Sequence, residues 1–305
     1  MNVKQLIREG HVVYRLFDYT LYKLGLITHK VYSLNWDNYC YKRLTERVEA
    51  FLPNVLPIAN KREKGDTIWW CWLQGLNEAP ELVKACYRQT CIVCKNQYNV
   101  VVIDKDNFLN YVSLPQDIID SWRCGKIGNA HFSDLLRIEL LIEHGGVWID
   151  ATAYLTDTIP EYVVNSDLFL FRTNLFVYSY PLELDEDGII ANNWFIAAKN
   201  DDPFLILMRD YLFEYWRKGE QSHYYIWHLA FSAIAKKYPE YWKRVPLGCD
   251  ISTNYLIELL DKPFDELLWE NVKDLSWIHK LSWKKDLSVA GEDSFYKKII
   301  RNELK

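Results

Sequence analysis

Asp150 stands within a run, Gly145–Thr156, that reads GGVWIDATAYLT. Three apolar residues, Val147–Ile149, precede it and have the character of a short buried strand, so a carboxylate arrives where burial should continue. A strand-end aspartate suits a hard divalent cation, because Mg²⁺ and Mn²⁺ take oxygen ligands, often one or two carboxylates together with substrate phosphates. Thr152, two residues on, offers a hydroxyl that could join such a shell or hold a metal-bound water. Sixteen residues before Asp150, in AHFSDLLRIELLIEHGG, stands Asp134, with Arg137 three further along on the same helical face. A carboxylate that accepts from hydroxyls, beside a guanidinium that donates in a rigid fork, can grip a polyol. Each part has a plainer alternative: a turn or cap for Asp150, a surface ion pair for Asp134 and Arg137. Parallel α/β geometry favours the chemical reading, since it can bring a helix start and a strand end to one rim.

The rest of the chain must build that rim. DTIWWCWLQG, from Asp66, predicts a buried strand running into a turn, and PELVKACYRQTCIVCKN predicts a helix with Pro80 in its first turn. Asn99–Asp104, NVVVID, is a second strand of β-branched residues. Helices follow around Pro115–Trp122 and Ala130–His144, the latter with an apolar stripe at Ala130, Leu135, Ile138 and Ile142 and a glycine stop at Gly145. Then comes VWID. This β-α-β-α-β order implies a mostly parallel sheet covered by helices, with ligands bound outside the carboxyl ends of the strands. DLFLFRT and NNWFIAAK read as further strands; DPFLILMRDYLFEYW and SHYYIWHLAFSAIAKKY read as amphipathic helices. Residues 1–50 read as helical, and FLPNVLPIANKREKG as a linker. The expected organisation is therefore a helical segment and linker over 1–65, an α/β domain over 66–285 and a last helix over 286–305.

The chain of 305 residues is 50% hydrophobic, enough for a full core, and carries 13 Trp and 21 Tyr, most of them expected in that core. Net charge is −5, unevenly spread: residues 1–64 hold 11 Lys and Arg against 6 Asp and Glu, and residues 271–305 hold 8 against 5. Basic ends on an acidic body suggest contact with an anionic membrane face, or ordinary solvated helices. No dense basic stripe or base-reading motif supports nucleic-acid binding. Seven scattered Cys, with Cys91 and Cys94 as a lone CxxC, fit structural thiols in a reducing cytosol rather than a zinc site. No signal-type apolar run opens the chain, and no stretch has the apolar length that spans a bilayer.

The run AHFSDLLRIELLIEHGGVWIDATAYLT closely resembles the capsular polysaccharide synthesis proteins, bacterial sugar transferases related to glycosyltransferase family 32 and, more distantly, to the large clostridial glucosylating toxins. IWWCWLQGLNEAPELVKAC, NNWFIAAK and IHKLSWK resemble further blocks of the family, so the likeness covers roughly residues 66–285. It implies a GT-A type, Rossmann-like nucleotide-sugar-binding domain, here with additional N- and C-terminal helices, and an Asp-x-Asp motif that holds Mn²⁺ or Mg²⁺. Asp150 matches the first Asp of that motif; Thr152 departs from the second. The resemblance maps Asp134 and Arg137 onto donor-sugar contacts, puts Trp70 and Trp72 near the nucleotide base and makes Gln74 a further substrate-binding residue. Asn192, Asn193 and Trp194 fall on the acceptor or sugar side. His279 would complete the metal shell and Lys280 would neutralise the leaving diphosphate. The implied activity is metal-dependent, retaining transfer of a hexose, glucose or galactose, from a UDP-sugar to a lipid-linked oligosaccharide at the inner face of the plasma membrane. Two other readings share the same donor site: a toxin- or effector-like transferase that modifies protein, and a non-catalytic nucleotide-sugar or glycan-binding protein.

Overall fold

The computed structural model describes residues 12–57, 62–173, 189–219 and 224–304. Two helices lead, α1 (Val12–Lys23) and α2 (His29–Phe51), the second capped by the Thr28 hydroxyl, which accepts from Val31 N–H. The expected helix over residues 1–11 and the stretch 58–61 of the expected linker lie outside the described residues. Then follow β1 (Thr67–Cys71), α3 (Glu81–Cys94), β2 (Asn99–Ile103), α4 (Gln116–Arg123), α5 (Asn129–His144), β3 (Gly146–Asp150) and the short β4 (Ala153–Leu155). The second half holds β5 (Leu168–Arg172), β6 (Ala191–Ala198), α6 (Pro203–Arg217), α7 (Ile226–Lys237), α8 (Glu266–Leu275), β7 (Ile278–Lys280) and α9 (Phe295–Ile300).

Among the described residues the main sheet has five strands in the order β2-β1-β3-β6-β5. β1 runs parallel to both β2 and β3, while β6 pairs antiparallel with β3 and β5 and is the one reversed strand. The parallel strands are near-continuous apolar runs because helices or loops cover both faces. Trp69, Trp148, Leu170 and Ile196 pack beneath α5, α6 and α7; Ile68, Val147, Ile149 and Phe195 fill the other side. The terminal helices join these cores: Leu44 and Val48 of α2 enter the first, and Phe295 and Ile299 of α9 pack with Leu82 and Cys86 of α3.

The chain leaves β1 to one side for β2 and returns to the other side for β3, so the carboxyl ends of β1 and β3 form the crevice where open α/β sheets take ligands. Two glycines set β3 in place. Gly145 follows α5 at φ 65°, its N–H donating to Leu141 O at 2.9 Å. Gly146 has φ 95°, and a Cβ there would lie 2.3 Å from the Thr67 carbonyl oxygen, so only glycine lets β3 approach β1 this closely. A second sheet pairs β4 with β7, placing Lys280 opposite Ala153.

Candidate active site

Alternation along β3 sends Val147 and Ile149 to one face and Trp148 and Asp150 to the face covered by α5. Asp150 Oδ1 accepts from Trp148 Nε1–H at 2.9 Å and from Arg137 Nη2–H at 3.2 Å. Its Oδ2 accepts from the Lys280 ammonium at 2.8 Å, and the same ammonium donates to Thr152 Oγ1 at 2.9 Å. Burial opposes ionisation of Asp150, but Lys280 and Arg137 outweigh it and hold the carboxyl below its ordinary range. Arg137 is almost wholly buried, lies 4.9 Å over the Trp148 ring, and pairs with Asp134 Oδ1 at 3.1 Å, one helical turn away. Asn193 locks this pair: its side-chain amide donates to Asp134 Oδ1 at 2.9 Å, and its carbonyl accepts from Arg137 at 2.7 Å. α5, β3, β6 and β7 thus each supply one part of a single network.

The network floors a cleft of about 350 Å³. Trp72, just beyond β1, and Trp283, just beyond β7, form one wall with ring centroids 5.9 Å apart at 85°. Gln74 and Lys284 line the cleft beside them. His131, Tyr224 and His228 line the far wall. Burial pushes the His228 imidazole down to about 4, so it is neutral at ordinary pH.

Most sequence-predicted site residues meet here: Asp134, Arg137, Asp150, Thr152, Asn193, Lys280, Trp72 and Gln74 all line the cleft. Four do not. Trp70 is fully buried with Ala79, Val83 and Ala151, because strand alternation turns it into the core and only Trp72 escapes past the strand end. Asn192 faces the other side of β6 and donates to Asp250 Oδ2 at 2.6 Å. Trp194 stacks on Phe171, centroids 4.8 Å apart at 11°, with Lys280 Nζ 5.9 Å from its ring. His279 is wholly buried, pushed by burial to about 4, and, one position from Lys280 on β7, it does not line the cleft.

The expected metal shell does not assemble from these donors. Its three parts were Asp150, Thr152 and His279. His279 lies outside the cleft, Asp150 Oδ1 is committed to Arg137 and Trp148, and Lys280 holds the two remaining oxygens. Among the described residues no three His, Cys, Asp or Glu side chains converge as a metal site. An ammonium and a divalent ion repel each other and compete for the same two oxygens, so these residues do not fit the ion.

A sequence profile of the capsular polysaccharide synthesis proteins matches residues 27–299. The chain belongs to that family. It is also similar to the "O-glycosyltransferase braB" of Annulohypoxylon truncatum, 23% identical over 172 residues, covering 54% of this chain and 40% of that protein. The chain thus spans less than half the length of that relative. Among solved structures it is similar to the "PaToxG Glycosyltransferase" (13% identity, 73% of this chain, 80% of that one, TM-score 0.37) and to the glycosyltransferase GlyE of Streptococcus pneumoniae TIGR4 (12%, 79% and 63%, TM-score 0.38). Likenesses this distant say nothing about donor or acceptor.

The cleft also has residues that its sequence did not single out. Trp283 sits inside IHKLSWK, and its place three residues past Lys280 was a usable signal. Trp148 lies within the apolar run of β3, and the indole two residues before Asp150 donates to its carboxylate. His131, Tyr224 and His228 carried none: they come from two helical regions far apart in sequence that only tertiary packing joins.

Proposed function

We propose that this protein is a glycosyltransferase that moves a hexose, glucose or galactose, from a UDP-sugar to a hydroxyl of a lipid-linked oligosaccharide, with retention of anomeric configuration. The observation that carries the reading is the convergence of Asp134, Arg137, Asp150 and Lys280 on the floor of one cleft at the carboxyl ends of β1 and β3, under the Trp72–Trp283 wall. The flat uracil lies against that wall, where an indole face gives apolar contact to a base. The diphosphate lies over Lys280 and Arg137. Asp134, already fixed by Asn193, accepts from hydroxyls of the hexose. Departure of the diphosphate builds negative charge on its bridging oxygen, and a preorganised ammonium beside that oxygen stabilises the charge as it forms. Asp150 keeps Lys280 and Arg137 in place and offsets their mutual repulsion. No enzymic nucleophile is needed, since the departing phosphate oxygen takes the acceptor's proton.

The lipid-linked acceptor fits a second feature. No helix among the described residues is long and apolar enough to cross a membrane. Yet α1 and the turn after it expose Val13, Leu16, Phe17, Leu24 and Leu26, while the one acid of residues 12–31, Asp18, is buried against Asn35. Arg15, Lys23 and Lys30 leave that stretch cationic. An apolar face with cationic flanks suits docking on the anionic inner face of the plasma membrane.

A panel of UDP-hexoses tests the reading. Release of UDP from one of them, with an α-linked product by NMR, is the expected result; inversion at the anomeric carbon would remove the retaining mechanism. Vesicles containing phosphatidylserine should retain the full chain but release a Leu16→Asp, Phe17→Asp variant, and equal binding of both would remove the membrane role of α1.

A further inference from the structure

We infer that Lys280 takes the place of a divalent cation, so that the protein binds and turns over its nucleotide sugar without metal. The inference rests on the nucleotide-sugar reading above. It starts from the disagreement between the expected metal shell and the side chains present. The Lys280 ammonium lies 2.8 Å from Asp150 Oδ2 and 2.9 Å from Thr152 Oγ1, the two oxygens that an ion in this cleft would take. These are hydrogen-bond distances, and they use two of the ammonium's three donors, leaving the third for a ligand oxygen.

The backbone holds this arrangement. β7 pairs with β4, so Lys280 stands opposite Ala153, and Leu281 N–H donates to Thr152 O at 2.8 Å. The lysine and the Asp-x-Thr segment are therefore tied on either side of the contact. The other Asp150 oxygen is closed to an ion by Trp148 and Arg137. Asp134, the second carboxylate of the cleft, is turned to Asn193 and Arg137. Asp150 thus orients a cation that belongs to the chain.

The third motif position then has a reason. A second carboxylate in place of Thr152 would add charge for a divalent ion; a hydroxyl suffices to orient one ammonium. In the transfer step the bond from the anomeric carbon to the diphosphate oxygen breaks, and its electron pair stays on that oxygen. A bond from the acceptor oxygen to the anomeric carbon forms, and the acceptor's proton passes to the departing phosphate. Lys280 stabilises the oxygen that gains charge.

The test is calorimetric binding of UDP to the full-length protein in EDTA and in Mn²⁺. The expected result is the same affinity in both. Lys280→Ala should weaken UDP binding in EDTA by roughly 10- to 100-fold, the range of one hydrogen bond to a charged group. Mn²⁺ should restore part of that loss, because the substitution frees Asp150 Oδ2 and Thr152 Oγ1. Lys280→Arg should keep binding independent of metal. UDP binding by the native protein that disappears in EDTA and returns with Mn²⁺ overturns this inference and leaves the donor reading standing. Failure to bind UDP with either additive overturns the donor reading, and this inference with it.

Discussion

The two ends of the central sheet each carry an aspartate paired to an arginine, and they use it in opposite ways. At the amino ends of β1 and β5, Asp202 accepts from Arg62 at 3.0 Å, from the Tyr241 hydroxyl, and from the N–H groups of Phe204 and Leu205 at the start of α6. At the carboxyl ends of β1 and β3, Asp150 holds Arg137 and Lys280. Burial is the largest influence on both. It wins at Asp202, whose carboxyl is pushed up to about 6, and loses at Asp150, where two full cations hold the carboxyl low. Asp202 is completely enclosed and caps a helix, whereas a quarter of the Asp150 side chain is exposed to the cleft. One ionic cluster closes the fold, and the other holds charged groups ready at an opening.

Substitutions at the two ends should separate stability from function. Asp202→Ala should cost about 3–5 kcal/mol, because the first turn of α6 loses its cap and the Tyr241 hydroxyl and Arg62 lose a buried acceptor, Arg62 keeping Asp167 as its ion partner. Urea unfolding measures this, and the variant that remains folded should keep its UDP affinity. Loss of affinity without loss of stability would erase the distinction between the ends. The tryptophans of β1 repeat the contrast on a smaller scale. Trp70→Ala should destabilise by about 3–5 kcal/mol, as for a large aromatic removed from a core. Trp72→Ala should leave the unfolding midpoint nearly unchanged and raise KM for the UDP-sugar by roughly tenfold, the scale of one lost stacking contact.

These pairs also mark what the sequence made legible. Asp134, Arg137 and Asp150 could be placed together because helical spacing and parallel-sheet geometry are regular. The glycine stop at Gly145 was readable for the same reason, whereas the close approach of Gly146 to Thr67 shows only in the fold. Trp70 and Trp72 are chemically identical and two residues apart on the same face; what divides them is where β1 ends, which periodicity does not specify. His279 and Lys280 are neighbours with opposite fates, decided by which face of β7 meets Asp150. That pairing spans 130 residues. Asn192 and Asn193 part in the same way. The far wall of the cleft, His131, Tyr224 and His228, depends wholly on tertiary packing.

A last expected effect concerns His279. Its imidazole is neutral when folded, with its pKa lowered from 6.5 to about 4, so the unfolded chain takes up the proton first on acidification. Stability is lost as pH falls from about 6.5 to about 4. Relative to His279→Leu, the native protein should lose up to about 3 kcal/mol over that range. A stability difference that does not change with pH would mean that His279 titrates alike in the folded and unfolded chain, against its complete burial, and one that grows in favour of the native protein as pH falls would mean that the fold holds it protonated.

The central claim is that Asp150 organises a nucleotide-sugar site rather than the fold. Its most direct test is the initial rate of UDP release from the UDP-hexose that the native protein accepts, measured beside Asp150→Asn at matched folded fraction. The account predicts a loss of about 10²- to 10³-fold, the scale of removing one preorganised electrostatic group, with a nearly unchanged unfolding midpoint. A folded Asp150→Asn protein that releases UDP at the native rate would contradict it.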